Sequence, residues 1–298
     1  MRKTVLLLLA LALVLGRIGM DRVQAEEAVL LTADVQLKIA DAFLDEAEYY
    51  RAVTEFKRFL ILFPDSRRAD YALFRTGMAC YRGEEYESAA RAFASVRELH
   101  PGSVHQEKSR YYEALSCWKL KQYAQAEAVL DVLVEVYPES EEAPRALAAS
   151  TVLALERGRP AAARRSLHRI LEHYPGHLLS RRAADALPLV DEYEGLPSKS
   201  PSLAGFMSAV LPGSGYIYAR HYHDGVTAFL INALAISGTA AGVHQENYPV
   251  AGIVGAVGLP FYFANIYGSA NAARKWNMGV RKVLVDRISL VLDFHFHP

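Results

Sequence analysis

Phe63-Pro64-Asp65-Ser66, His100-Pro101-Gly102-Ser103, Tyr137-Pro138-Glu139-Ser140 and Tyr174-Pro175-Gly176-His177 are four copies of one turn, and their prolines stand 37 residues apart. A step repeated this faithfully marks an array of stacked supersecondary units. The flanking residues keep the step. Twelve residues before each proline stands Ala52, Ala89, Ala126 or Ala163, and four after each alanine stands Phe56, Phe93, Leu130 or Leu167. Twelve before each alanine is a mostly small residue: Ala40, Gly77, Ala114 or Thr151. Small residues let two helices approach, the large one fills the gap between them, and the proline ends the second helix because it cannot continue the hydrogen-bond ladder.

This pattern resembles the tetratricopeptide repeat, a helix–turn–helix unit with a usual period of about 34. The resemblance covers residues 33–176 as four units, and the extra residues are most simply placed in the turns between units. The aromatic that the family carries three residues after the small position stands only at Phe43; Cys80, Cys117 and Ala154 replace it elsewhere. Helix pairs are predicted at 34–46/49–62, 67–82/86–99, 104–120/123–136 and 141–157/160–173, with a capping helix at 178–193. Ser103-Val-His-Gln106 has the form of a capping box, and Pro160 suits the first turn of its helix. Cys80 and Cys117 occupy equivalent inward sites about a helix diameter (~10 Å) apart. That exceeds the ~7 Å limit for a disulfide, so two buried thiols are expected.

With 298 residues the chain has length for one or two domains. The formal net charge of 0 gives no support to a nucleic-acid partner. The hydrophobic share is 52%, and its excess lies at the two ends. Residues 1–25 read as an export signal: Arg2-Lys3, an apolar run over 5–15 too short to span comfortably, and small residues at Val23 and Ala25 before a cleavage site. An uncleaved anchor is the competing reading. No cysteine follows the run, so no lipid attachment at a new N-terminus is expected. Residues 196–202 are a linker by composition.

Residues 203–276 read as a small membrane domain. Stretches 225–243 and 249–273 carry no charge, are long enough to span, and are rich in Gly, Ala and Ser. His244-Gln-Glu-Asn-Tyr248 joins them as a hairpin. Stretch 203–218 is also uncharged but is broken by Pro212-Gly213-Ser214-Gly215. Arg274, Lys275, Arg281, Lys282 and Arg287 follow the last span and predict a cytoplasmic tail. Exported repeats then require an odd number of crossings, with 203–218 as the third; a re-entrant 203–218 is the alternative. The stretch Ser208-Ala-Val-Leu-Pro-Gly-Ser-Gly-Tyr-Ile-Tyr218 with Asp224-Gly225 is similar to the Pro-Gly-x-Gly-x-x-Tyr opening of small bacterial membrane domains, some of the TM2 type. The matching positions are Pro212, Gly213, Gly215, Tyr218 and Gly225. The resemblance implies a membrane hairpin and no known activity. Residues 277–298 form an amphipathic tail: Ile288, Leu290, Leu292, Phe294 and Phe296 alternate with mostly polar residues, suggesting a strand or extended end, with an interfacial helix as the competing reading.

Chemistry is sparse. Asp293, His295 and His297 would share one face of a strand, and His221, His223 and Asp224 sit in one loop, but terminal and interfacial polarity explain both. His168, His173 and His177 lie in or just after one helix. Gly213-Ser-Gly215 lacks the Lys-Ser/Thr of a phosphate loop. No catalytic group, metal or cofactor is expected. The repeat family implies instead a concave groove lined by first helices. On this chain the matching positions are Tyr71, Phe74, Met78 and Tyr81 in repeat two and Lys108, Tyr111, Leu115 and Trp118 in repeat three. Repeat one contributes Asp34, Leu37, Asp41 and Leu44; repeat four contributes Arg145, Ala148, Val152 and Leu155. Such aromatics anchor partner peptides, or several of them pack between helices.

The expected fold is therefore all-α: a solenoid of four tetratricopeptide-like units followed by a transmembrane helical hairpin or three-helix membrane domain. Tyr49-Tyr-Arg-Ala-Val-Thr-Glu-Phe-Lys-Arg-Phe59 and the Phe-Pro-Asp-Ser turn resemble bacterial envelope repeat proteins of the Tol–Pal-associated and barrel-assembly lipoprotein types. That resemblance implies a bacterial periplasmic scaffold that binds a protein partner; together with the predicted spans, the expected place is the inner membrane with the repeats facing the periplasm. The alternative is that the membrane domain is the working part, in insertion or transport, and the repeats recruit clients.

Overall fold

The computed structural model describes residues 31–294, and every regular element among them is an α-helix. The expected leader at 1–25 lies outside the described residues. Four helix pairs follow in order: α1 (Ala33–Asp45) with α2 (Tyr49–Leu62), α3 (Ala69–Arg82) with α4 (Tyr86–Leu99), α5 (Gln106–Lys119) with α6 (Tyr123–Val136), and α7 (Glu142–Glu156) with α8 (Pro160–His173). A further helix, α9 (Leu178–Glu194), packs on the last pair. All of these bounds fall within two residues of the predicted ones.

The 37-residue step is written into two kinds of turn. Inside each pair the backbone turns left-handed at Ala47, Glu84, Lys121 and Gly158, with φ of 60°, 62°, 61° and 70°. The next N–H then reaches back to the carbonyl of Phe43, Cys80, Cys117 or Ala154 at 2.8–2.9 Å, which closes the helix end. A carbonyl, not a side chain, makes this closure, so it tolerates loss of the family's aromatic. Between pairs the recurring motif is a β-turn with proline second. The N–H groups of Ser66, Ser103, Ser140 and His177 donate to the carbonyls of Phe63, His100, Tyr137 and Tyr174 at 3.0–3.1 Å.

That β-turn overturns the expected capping box. It leaves the helix to start at Gln106, with His105 at the cap position. Ser103 Oγ accepts from His105 N–H at 3.0 Å and donates to Asp70 at 2.7 Å. The Gln106 carboxamide turns back and donates to the His100 carbonyl at 2.8 Å, satisfying the end of α4.

The small and large positions meet as the spacing requires. Ala40, Ala114, Phe56, Phe93, Leu130 and Leu167 are fully buried. At Gly77 a Cβ would lie 2.5 Å from the Phe93 ring, so only glycine fits there. Burying such a side chain stabilises by about 1.5–3 kcal/mol. Cys80 and Cys117 are buried free thiols; burial raises both, Cys117 to about 11.

Beyond residues 196–200 come α10 (Pro201–Val210), α11 (Ser214–Tyr218), α12 (Tyr222–His244) and α13 (Tyr248–Val291). Stretch 203–218 is not one long helix. Leu211 is extended, Gly213 is left-handed at φ 86°, and α10 alone measures about 15 Å, half the hydrocarbon thickness. Among the described residues two helices, α12 and α13, are long and apolar enough to cross a membrane. They pack as a hairpin through small residues: a Cβ on Gly258 would lie 2.6 Å from Ala235. Phe229, Leu234, Ile253 and Phe263 point outward and are exposed.

The tail departs from expectation. It is neither strand nor extended: α13 continues helical to Val291. Ile288 is buried while Leu290 is 70% exposed, which excludes a common face for alternate residues. Leu284, Val285, Ile288 and Leu292 repeat at helical spacing and are buried in the repeat core. The tail therefore leaves the hairpin at the end where the linker enters and packs on α7 and α9. The linker is also pinned: Lys199 N–H donates to Asn277 Oδ1, and Asn277 Nδ2 donates to the Lys199 carbonyl, both at 2.8 Å.

Candidate partner-binding groove

The eight groove positions of repeats two and three divide into an open part, a pair packed between helices and a part filled by the tail. In the open part, Tyr71 O–H donates to the Asp41 carboxylate at 2.9 Å, and Arg75 Nε donates to it at 2.7 Å. Arg68 lies over the Tyr71 ring at 5.0 Å and pairs with Asp34 at 3.0 Å. Phe74 stacks on His105 at 5.0 Å, nearly parallel. Burial lowers the His105 pKa, with Lys108 adding to the shift and Asp70 opposing it, so the ring is held toward its neutral form. Tyr71, Phe74 and His105 are half-buried and Lys108 is exposed.

Met78 and Tyr81 are buried at 6% and 3% exposure, so they pack between helices and offer no free face. Tyr81 meets Tyr86 and Tyr112 edge-on at 5.6 and 5.5 Å. Burial pushes the Tyr81 and Tyr111 phenols far up, and both stay neutral. Of these positions, then, the competing packing role is the one the structure gives.

The filled part is the one that linear reading missed. Trp118 is 4% exposed because Phe294 stacks on it at 5.3 Å with a 15° tilt between rings. The Trp118 indole N–H donates to Glu156 Oε2 at 2.8 Å. Asp293 accepts from Arg182 at 2.7 Å. Arg281 lies over the Tyr193 ring at 5.9 Å. Tyr111 and Leu115 face a cavity of about 400 Å³ that Arg145, His177, Leu292 and Phe294 also line. The chain's own tail thus occupies the surface assigned to a partner at Trp118. The signal was present as the i, i+4, i+8 series Leu284, Ile288, Leu292, but it shares Ile288 and Leu292 with the period-two pattern.

The membrane motif is brought together as one closely packed corner. A Cβ on Gly213 would collide with the Gly225 carbonyl, and one on Gly215 with the Ala204 carbonyl. Gly225 is less tight: a Cβ there would lie 2.8 Å from Ile217 Cγ1 and 2.9 Å from the Gly213 carbonyl. Asn265 Oδ1 accepts from Gly213 N–H at 2.9 Å while its Nδ2 donates to the Ser208 carbonyl at 3.0 Å. These bonds satisfy backbone that the Pro212 break frees. Tyr218 O–H accepts from Ser200 N–H at 3.1 Å, tying the motif to the linker. His221 Nδ1 lies 3.3 Å from Asp224. The Asp293, His295, His297 grouping extends outside the described residues, and Asp293 itself pairs with Arg182.

Comparison with known proteins agrees with the repeat architecture. Residues 72–159 match the family model described as an outer membrane lipoprotein (YfiO), and residues 34–66 match a tetratricopeptide repeat model. A tetratricopeptide repeat protein from Parabacteroides merdae, known from its crystal structure, is similar at 16% identity with a TM-score of 0.44. That similarity covers 88% of this chain and 98% of the other. No curated protein shows significant similarity to the chain. The two family models match separate parts of the repeat array, where the chain is similar to tetratricopeptide repeats and to the YfiO-type lipoprotein repeats.

Proposed function

We propose that this chain is a non-enzymatic scaffold of the bacterial envelope. In this reading the helical hairpin anchors it in the inner membrane, and the repeats hold a protein partner through the open part of the groove. The observation that carries the reading is the seating of Phe294 on Trp118. A surface that takes an aromatic delivered just past a helix end in this way is suited to peptide segments that carry an aromatic anchor. Phe74, Tyr71 and Lys108 continue that surface where the tail does not reach. The test is in-cell photo-crosslinking from Phe74, with Arg91, whose side chain is 67% exposed on α4, as control. One strong partner from Phe74 and none from Arg91 is the expected result. Equal, weak labelling from both sites would overturn the groove assignment.

The same contact favours two crossings, with α10 and α11 re-entrant on the repeat side. Two sequence signals then oppose each other. The leader sends the repeats out, yet the cations Arg220, Arg274 and Lys275 lie on the repeat side and the 245–247 turn has none. Export acts first along the chain, and the first signal usually dominates, so the repeats are assigned to the periplasm. A cysteine introduced at Asp65 should react with an impermeant maleimide in intact spheroplasts. Labelling only after lysis would reverse the orientation.

A membrane-centred function has one observation in its favour. Asn232 and Asn265, 2% and 3% exposed, line a cavity of about 290 Å³ with Tyr216 and Asp224. Polar groups at membrane depth often mark working sites. Loss of function in Asn232→Ala but not in Phe74→Ala would move the activity there.

A further inference from the structure

A second surface, remote from the groove, lies where α10 meets α13. The two helices leave a furrow of about 510 Å³ between them, walled by Gly205 and Phe206 on one side and Phe263, Ile266 and Tyr267 on the other, with Arg274 at its mouth. From Phe263 to Arg274 the furrow follows α13 for about 16 Å. Its walls are apolar along that length and its mouth is cationic.

Beyond Pro201 and Arg274, which line the furrow, the neighbouring linker and the next turn of α13 are rich in cations and poor in anions. Lys199 Nζ sits 4.6 Å from the Trp276 ring centre, and the Arg220 guanidinium sits 5.9 Å from the same ring. Among the described residues, no carboxylate pairs with Lys199, Arg220, Arg274 or Lys275. Farther along the helix the pattern differs: Lys282 pairs with Asp286 at 2.9 Å, and Arg287 lies 3.9 Å from Glu192. Burial, and then the neighbouring Arg220, push the Lys199 ammonium down. Two cations share one aromatic ring with no counter-charge, and a phosphate would supply it. Trp276 and Tyr218 stand at the same level, as interfacial aromatics do.

We propose that the chain binds one anionic phospholipid here, its phosphate at the Arg274 rim and an acyl chain along Phe206, Phe263 and Ile266. The inference rests on reading α12 and α13 as membrane spans. A bound lipid would fix the angle at which the hairpin presents the repeats, because Lys199 and Asn277 join linker and helix at this rim.

The test uses the full chain in a neutral detergent, with native mass spectrometry after adding dioleoyl phosphatidylglycerol or dioleoyl phosphatidylcholine. The expected result is one retained phosphatidylglycerol, at least about tenfold preferred over phosphatidylcholine. Removing two of the four charges with Arg274→Gln and Lys275→Gln should cut that preference several-fold. Ala270→Phe, which fills the furrow and spares the rim, should lower retention of either lipid. Arg287→Gln should change nothing. Equal retention of the two lipids, or full retention by the rim variant, overturns the site. Full competition by millimolar inorganic phosphate overturns the acyl-chain part and leaves a simple anion site. A chain that stays monodisperse without detergent refutes the membrane reading itself, an outcome distinct from failed lipid selection.

Discussion

Phe294→Ala should free the tail from the groove while leaving the repeats folded. The ring is 5% exposed and rests on Trp118. Core Phe→Ala changes cost about 3–5 kcal/mol. Phe294 lies past the last helical residue, Val291, where neighbours can relax, so the low end applies, about 3 kcal/mol including about 0.5–1.5 kcal/mol for the ring pair. At about 1.4 kcal/mol per factor of ten, the detached population rises roughly 100-fold. The chain has two tryptophans, so a Trp276→Phe background isolates Trp118. The expected readout is a red-shifted Trp118 emission with faster acrylamide quenching, and faster hydrogen exchange confined to residues 284–294. Breaking only the ion pair with Arg182→Gln should cost less than about 1 kcal/mol, because the Asp293 side chain is 53% exposed. Unchanged Trp118 emission in Phe294→Ala, with unfolding spread over all repeats, would refute the idea that the tail is a separable occupant.

Three further outcomes follow from the repeats. Glu113 is 4% exposed and burial raises its carboxyl, against the lowering effects of Arg97 and Arg110, with Glu98 adding to the rise. Its contribution to stability is therefore present below the unfolded value of about 4.3 and lost as pH rises through the folded value; Glu113→Gln should be more resistant to urea than the parent at pH 7, with the gap closing near pH 4, and a gap that widens on acidification would show that Arg97 dominates. Lys121→Gly should stabilise by about 0.5–1 kcal/mol, because its φ of 61° suits glycine, while Gly158→Ala at the equivalent turn should destabilise by a similar amount; denaturant midpoints moving in the same direction for both would refute the turn assignment. Gly77→Ala should destabilise by about 1–3 kcal/mol through its clash with Phe93, and Phe93→Leu should recover part of that loss in the double variant; additive losses would mean the two positions do not touch.

Local and periodic features were legible in the chain itself. The prolines at a step of 37 placed each β-turn. The Ala and Gly positions placed the close helix contacts, and the uncharged stretches placed the two long apolar helices. Each of these depends on residues near one another in sequence, and each repeats, so one error is corrected by three other copies. Ser103 shows the limit of local reading, since the turn before it, not the box motif, set where the helix began.

What only the tertiary structure decided was the meeting of distant segments. Nothing local to Trp118 says that Phe294 will cover it, and the tail's pattern served a strand as well as a helix until a neighbour selected one face. The glycines of the Pro212 break were visible, but their purpose came from carbonyls of Ala204 and Gly225 approaching too closely for a Cβ. The packing of the tail on α7 and α9 was likewise decided only by the fold, because charge distribution speaks of each segment alone while burial of Leu284, Ile288 and Leu292 requires a partner surface. Periodicity determines which helices form and which face of each is apolar; the choice of partner for that face is a long-range competition that the chain settles only when folded.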